Sequence, residues 1–303
     1  MNILFFGLPQ AALALLEDGH CVNHAAICRK DAEGLSELRA RLGDARVSVL
    51  PEVTRAWVQR VAPEGVDLLV SWFWTRKLSA EVIACARLGT LGVHPSLLPR
   101  HRGPDPVFHA IDAGDTLTGV TAHTLGEEYD VGAVYTQREL AIEEHWNGWE
   151  LSLALDVPSL ALFREVCMQF SMGPSPRARP QNEGLATMAP ALEDAALELD
   201  PTWAKSRALR RIRAAAPWPG AWVWAGEELL TLVQAKDAQR SFEGVAPGTV
   251  VVWGHHVYLT TSDGSLQVVL ARVGESDAEL AGVDLLLAVS ALVGGTPALD
   301  AQP

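Results

Sequence analysis

Short apolar runs alternate with helix-period stretches from Asn2 to His94, and this alternation limits the fold more than any other feature. Asn2–Phe6, Asn23–Cys28, Val66–Ser71 and Gly89–Val93 read as strands. Gln10–Leu16, Leu35–Leu42 and Ala80–Ala86 carry helical periodicity between them. A βαβ rhythm of this kind predicts an α/β domain built on a mostly parallel sheet with helices on both faces. Ligands of such sheets collect beyond the carboxyl ends of the strands. His94 follows the fourth of these strands, so it stands where chemistry is expected.

Thr118–Thr124 and Ala133–Leu140 continue the strand series, joined by a loop that carries Asp130. A long helix is expected over Trp149–Met172, with Pro158 kinking or dividing it. Gly173–Pro180, with Pro174, Pro176 and Pro180, has the composition of a linker. Thr202–Ala214 has a helical pattern with Asp200 or Thr202 as its cap. After Trp218-Pro219-Gly220 the texture changes to strands at Thr249–Trp253, Val257–Thr261 and Leu266–Leu270, with a tight turn at Asp263-Gly264. A chain of 303 residues suits two cores. The expected division is residues 1–198 and a smaller, β-rich, barrel-like domain over residues 199–303.

Composition narrows the function classes. The chain is 49% hydrophobic and 20% charged, which excludes a disordered protein. A formal charge of -13 argues against a general binder of nucleic acid or acidic membrane, because neutralising phosphate takes an excess of lysine and arginine. Cys21, Cys28, Cys85 and Cys167 have no metal-ligand spacing and read as buried thiols of a cytoplasmic protein. Met1 runs into an apolar stretch without a basic region, so no secretory signal is expected. The apolar stretch Leu285–Val293 is too short to span a bilayer, so no membrane partner is expected.

The segment richest in chemistry is Gly92-Val93-His94-Pro95-Ser96-Leu97-Leu98-Pro99-Arg100-His101-Arg102-Gly103, followed by Thr118-Gly119-Val120-Thr121 and Tyr129-Asp130-Val131-Gly132. It sets an imidazole at a strand end and a carboxylate in a nearby loop. Such a pair relays a proton near neutral pH, because the carboxylate fixes the tautomer and favours the imidazolium. By itself the spacing is a weak signal. Arg102 reads as a loop-holding residue, and Ser96 as a turn or cap residue with no base to make it a nucleophile.

The same run resembles the signature of the folate-dependent formyltransferases, Asn-x-His-x-Ser-Leu-Leu-Pro-x-x-Arg-Gly followed by an Asp-x-Gly loop. The resemblance extends to Phe5-Phe6-Gly7-Leu8-Pro9 at the start, to Arg211–Ala214 and Trp218–Ala221 at the passage into the second domain, and to Pro247–Val250 and Thr261–Gly264 within it. It implies a Rossmann-like formyltransferase fold whose first domain is catalytic, and a two-domain layout like that of methionyl-tRNA formyltransferases. It implies 10-formyltetrahydrofolate as co-substrate, with a primary amine attacking the formyl carbon. His94 and Asp130 match the family's proton-transfer pair. Gly92 stands where the family has the asparagine that donates to the tetrahedral oxyanion, and losing such a donor typically costs about 10²–10³ in rate. Phe73, Trp74, Thr75 and Arg76 occupy the segment resembling the folate-binding loop, where the aromatics either cover a pterin or pack in the core. Tyr129 is counted with them as a folate contact. Ala133 replaces an acidic residue that usually follows the loop glycine.

Three readings stay open on this footing: a formyltransferase in which water or substrate supplies the missing donor, a scaffold turned to hydrolysis or another acyl transfer, and a non-catalytic folate- or substrate-binding homologue. For an enzyme, the charge balance points to a small-molecule, sugar or carrier-bound amine. Five basic and five acidic residues lie between Arg29 and Glu52, and eight basic against eleven acidic from Asp200 onward. Transfer RNA is therefore expected to be an unlikely partner, with Arg207, Arg210, Arg211 and Arg213 read as a helix face.

Overall fold

A computed structural model describes residues 1–294. Packing divides them into two compact units. The first takes in Met1–Pro106, Leu117–Ala141 and Ser152–Pro190; the second takes in Val107–Thr116, Ile142–Leu151 and the chain from Ala191 onward.

In chain order the elements up to the site are β1 (Asn2–Gly7), α1 (Pro9–Glu17), β2 (Cys21–Ile27), α2 (Leu35–Leu42), β3 (Val47–Val49), α3 (Arg55–Val61), β4 (Val66–Trp72), α4 (Ala80–Ile83) and β5 (Ala86–His94). There follow α5 (Pro106–Ala113), β6 (Leu117–His123), β7 (Val134–Ala141) and α6 (Gly148–Met172). The first unit is built on a seven-stranded sheet of order β3-β2-β1-β4-β5-β6-β7. Strands β3 to β5 run parallel, and β6 and β7 are added antiparallel. Central β1 buries Ile3, Leu4, Phe5 and Phe6 completely, as a strand covered on both faces must. Full burial of each such side chain is worth about 1.5–3 kcal/mol. Phe5 meets Phe163 of α6 edge to face at 6.4 Å, while Leu4 and Phe6 pack with Trp57, Val58, Leu69 and Val82.

Several elements depart from the sequence reading for reasons of tertiary contact. Helix α4 stops at Ile83, because Ala86 already pairs with Val66 in the β4–β5 ladder. The edge strand β3 has only three residues and carries little periodicity, and α3 and α5 were not expected. Helix α6 is not divided at Pro158: Leu155, Ser159, Leu162 and Phe163 are buried on either side of it, and Ser159 Oγ accepts from Trp72 Nε1 at 2.9 Å. Of the cysteines, Cys167 is buried but Cys21 is exposed, so the reading of all four as buried thiols is corrected.

The remaining elements are α7 (Asp194–Leu197), α8 (Lys205–Ala215), β8 (Ala221–Ala225), β9 (Glu228–Asp237), β10 (Val250–Trp253), β11 (His256–Thr261), β12 (Gly264–Val273), β13 (Leu280–Ala281) and α9 (Gly282–Val293). The second unit holds an antiparallel sheet of order β10-β11-β12-β9-β8, with β13 paired to β12. Register irregularities around Leu270 bend the β9–β12 pair. The hairpin between β11 and β12 pairs Thr261 with Gly264, so Ser262-Asp263 forms its turn, one residue earlier than expected. The unit is β-rich but carries α9, whose Leu285, Leu286, Val289 and Ser290 are buried. The stretch read only as too short for a membrane is thus a packed helix. Among the described residues no helix is long and apolar enough to cross a membrane.

Candidate active site

Strands β5 and β6 bring four side-chain positions to one face. Alternation along a strand puts Gly92 and His94 on the same side, and Thr121 and His123 on the matching side of the neighbour. The antiparallel register sets Gly92 opposite His123 and His94 opposite Thr121. Directly opposed pairs of this kind bring side chains within about 5 Å. Thr121 Oγ1 donates to Ser96 O at 2.6 Å and accepts from Leu98 N at 3.0 Å and Gln137 Nε2 at 2.8 Å, which ties the segment after His94 to the sheet. Ser96 Oγ donates to Arg100 O at 2.6 Å, so it closes a turn.

Asp130 comes from the loop between β6 and β7 and has a left-handed backbone with φ 57°. Aspartate tolerates this region better than most residues. The loop crosses the end of β6 so closely that a Cβ on Gly132 would lie 1.6 Å from Thr124 O. Gln181 Nε2 donates to the carbonyls of Asp130 and Gly132, both at 2.7 Å. Gln181 Oε1 accepts from Arg102 Nε at 3.0 Å and Nη2 at 2.7 Å, and Glu183 takes a bidentate pair from the same guanidinium at 2.8 Å. Arg102 is buried and holds this loop through Gln181.

The half-buried Asp130 carboxylate lies between two buried imidazoles. Oδ2 accepts from Gly103 N at 2.9 Å and lies 3.4 Å from His94 Nδ1; Oδ1 lies 3.6 Å from His123 Nε2. Backbone carbonyls assign both tautomers, since a carbonyl can only accept. His94 Nε2 donates to His101 O at 2.8 Å, and His123 Nδ1 donates to Thr124 O at 2.8 Å. The nitrogens that gain and lose protons are therefore the two that face Asp130. Burial is the main influence on His123 and, against the opposing pull of Asp130, lowers its pKa from 6.5 to about 4. The arrangement is a carboxylate able to pass a proton between two rings, one on each oxygen.

Gly92 is crowded. A Cβ there would lie 2.6 Å from Leu125 Cδ2, 3.2 Å from His123 Nε2 and 3.3 Å from His123 Cε1. His123 is the residue that sequence reasoning missed. Its signal was the alternation within Thr118–Thr124, which puts position 123 two residues beyond Thr121 on the same face. Gln181 was missed too, lying in a stretch without periodicity.

The loop after β4 carries the other expected residues. Phe73, with φ 58°, stands edge-on to Trp72 at 4.6 Å. Trp74 meets Phe6 edge to face at 5.2 Å and has the Arg76 guanidinium 4.5 Å from its ring centre. Its ring thus packs on the cluster of Leu4, Phe6 and Leu69, to which Leu125 also adds. Its buried Nε1 has no hydrogen-bond partner among the described residues. Arg76 Nη2 donates to Pro51 O at 3.0 Å. Tyr129 is exposed, with Lys77 Nζ 5.1 Å from its ring centre.

In the second unit the arginines of α8 are engaged internally. Arg207 and Arg211 both pair with Asp112 and lie 4.3 and 5.0 Å from the Trp203 ring centre. Burial pushes the Asp112 carboxyl up, but the bonds from Arg207 and Arg211 outweigh it and the net shift is down.

Comparison with known proteins gives a consistent pattern. The model of the family "Formyl transferase" matches residues 28–153, and that of "Formyl transferase, C-terminal domain" matches residues 193–280. Methionyl-tRNA formyltransferase of Sorangium cellulosum is 30% identical over 307 residues, covering 94% of this chain and 96% of that one. Among solved structures, HypX from Aquifex aeolicus, in complex with tetrahydrofolic acid, is similar with a TM-score of 0.60 and 22% identity. The match covers 95% of this chain and 47% of HypX, so the chain spans about half of that protein. The sugar 3N-formyl transferase WlaRD, solved with dTDP and 5-N-formyl-THF, has a TM-score of 0.68 at 11% identity, covering 91% of this chain and 98% of WlaRD. These two likenesses concern the fold. The curated relatives share a name that specifies a transfer-RNA substrate, and this overturns the expectation that transfer RNA is an unlikely partner. Net charge reports an average field rather than the local face that meets an acceptor.

Proposed function

The chain belongs to the formyl transferase family, and from that premise we propose that it moves the formyl group of 10-formyltetrahydrofolate to a primary amine, in the cytoplasm. The observation that carries this reading is Asp130 held between His94 Nδ1 at 3.4 Å and Gly103 N at 2.9 Å, with the His94 tautomer fixed by His101 O. Amine attack on a formyl group needs one proton removed from the amine and one delivered to the departing folate nitrogen. A carboxylate–imidazole pair does both without net consumption of acid or base.

For the folate, the fit rests on the chemistry of the loop after β4. The Trp74 ring is already committed to the core, so we assign it the wall rather than the cover of the pterin site, with its unpartnered Nε1 as a donor. Phe73, Thr75, Arg76 and Tyr129 are proposed to complete that site. As acceptor we propose the amine of methionyl-tRNA, because the full-length relatives carry that name. The small-molecule, sugar or carrier-bound amine is the competing acceptor.

The test is direct. Purified protein is given 10-formyltetrahydrofolate with methionyl-tRNA in one reaction and a nucleotide-linked amino sugar in another, and formylated product is read by mass spectrometry. Product from methionyl-tRNA, abolished by His94→Ala, supports the reading. Product from the amino sugar alone replaces the acceptor, and product from neither removes the function.

A further inference from the structure

We propose that His123 does the work of the side chain missing at position 92, its Nε2 taking the proton of the attacking amine and then, as the imidazolium, donating to the tetrahedral oxyanion. This rests on the formyl-transfer reading.

Gly92 and His123 are directly opposed in the β5–β6 ladder, and His123 Nε2 lies 3.2 Å from where a Cβ of residue 92 would be. The imidazole edge thus occupies the volume into which any side chain at 92 would grow. Glycine at 92 and histidine at 123 are two halves of one arrangement, in which the polar group reaches the same space from the neighbouring strand. Thr124 O holds a proton on Nδ1, so Nε2 carries the lone pair in the neutral ring and the acidic hydrogen in the cation. The low pKa keeps that lone pair free at neutral pH. Asp130 Oδ1, 3.6 Å away, stabilises the cation once it forms.

The step balances. The amine nitrogen bonds to the formyl carbon, the carbonyl pair moves to oxygen, and the amine proton passes to His123 Nε2. The Nε2–H then holds the oxyanion, as an amide donor would. On collapse the oxygen pair re-forms the carbonyl and the bond from carbon to the folate nitrogen breaks. The proton on His123 passes through Asp130, whose two oxygens face the two rings, to His94 Nδ1 and from there to that nitrogen. The net change is one proton moved from amine to folate.

The test uses the full chain and compares wild type, His123→Ala, Gly92→Asn and the double variant. Turnover is read with the accepted amine, and folate binding is read separately with 5-formyltetrahydrofolate. His123→Ala is expected to lower kcat by about 10²–10³ with folate affinity within about twofold of wild type. Gly92→Asn alone lowers kcat, because the new side chain must displace Leu125 and crowd His123. In the His123→Ala background the same change raises kcat at least about tenfold, since the amide enters the space the imidazole leaves, with only the flexible end of Leu125 to displace. That reversal of sign would not arise from a structural role. A His123→Ala protein that turns over like wild type, or a double variant no faster than His123→Ala, overturns the proposal alone. A wild-type chain that binds the folate but formylates neither amine overturns the functional reading, and the proposal with it.

Discussion

Gly103 N anchors the Asp130 carboxylate, but the backbone that presents it is secured from elsewhere. Its left-handed backbone is held by Gln181, whose amide donates to both Asp130 O and Gly132 O while its oxygen accepts from Arg102. Gln181→Glu keeps the acceptor for Arg102 but sets a carboxylate against two carbonyls. The loop must then shift, and misplacement of about 1 Å costs on the order of 10² in rate. The expected outcome is a fall in kcat of that size with a thermal midpoint close to wild type. An unchanged kcat would show that Asp130 does not depend on this clamp. A second expectation concerns pH. His123 has its pKa lowered from 6.5 to about 4 by burial. Between those values the unfolded ring binds a proton that the folded ring refuses, so stability present above pH 6.5 is lost as pH falls toward 4. The full loss is about 3 kcal/mol. Urea midpoints of wild type and His123→Gln at pH 7 and pH 4.5 isolate it: the variant should lose less, keeping the share of His24, whose pKa burial likewise lowers to about 4. At this scale the sequence offers His94, Asp130 and the departure at Gly92 as candidates, because a motif spells them in order, and the fold brings them to one place. The sequence does not offer His123, whose meaning depends on which residue of another strand it faces.

The elements show the same division between what is local and what is not. The run Leu35–Leu42 has its helical period and its flanking glycines within the segment, and α2 forms over those residues. Helix α8 does not begin where its sequence suggests. Asp200 and Thr202 bond each other in a turn, Ala204 is the residue preceding the helix, and the backbone N–H of Lys205 is capped by Asp263 Oδ1 at 2.8 Å from the β11–β12 turn. No reading of Asp200–Ala215 alone reveals a cap that arrives from a distant hairpin. Asp263→Ala is therefore expected to lower stability, as loss of a cap does, and Thr202→Ala to lower it less. Chemical denaturation of the two variants checks the order; equal costs would return the cap to the local turn. The β6–β7 loop has a harder constraint. With Thr124 O 1.6 Å from the Cβ position of Gly132, Gly132→Ala cannot be accommodated without moving the backbone that carries Asp130.

For the whole molecule, the parallel sheet and the β-rich second unit were legible because period and turn chemistry are carried by many residues at once. The acceptor was not, because a charge sum has no direction. With -13 on the chain and Arg207 and Arg211 of α8 paired to Asp112, the average field repels a polyanion. If the face that meets the acceptor is no more basic than this average, a methionyl-tRNA acceptor is held through few phosphate contacts and recognised mainly at its aminoacyl end. Salt distinguishes this from ordinary nucleic-acid binding. A protein neutralising 6–10 phosphates loses about 10³–10⁵ in affinity between 50 and 200 mM salt, through counterion release. Here added salt also screens the long-range repulsion, since the Debye length falls to about 8 Å at physiological ionic strength. The two effects oppose each other, so kcat/KM for methionyl-tRNA is expected to change by less than about tenfold over that range. Steady-state rates at four salt concentrations, with acceptor well below KM, give the slope. A steep fall would reveal a basic face that meets many phosphates, which the net charge conceals.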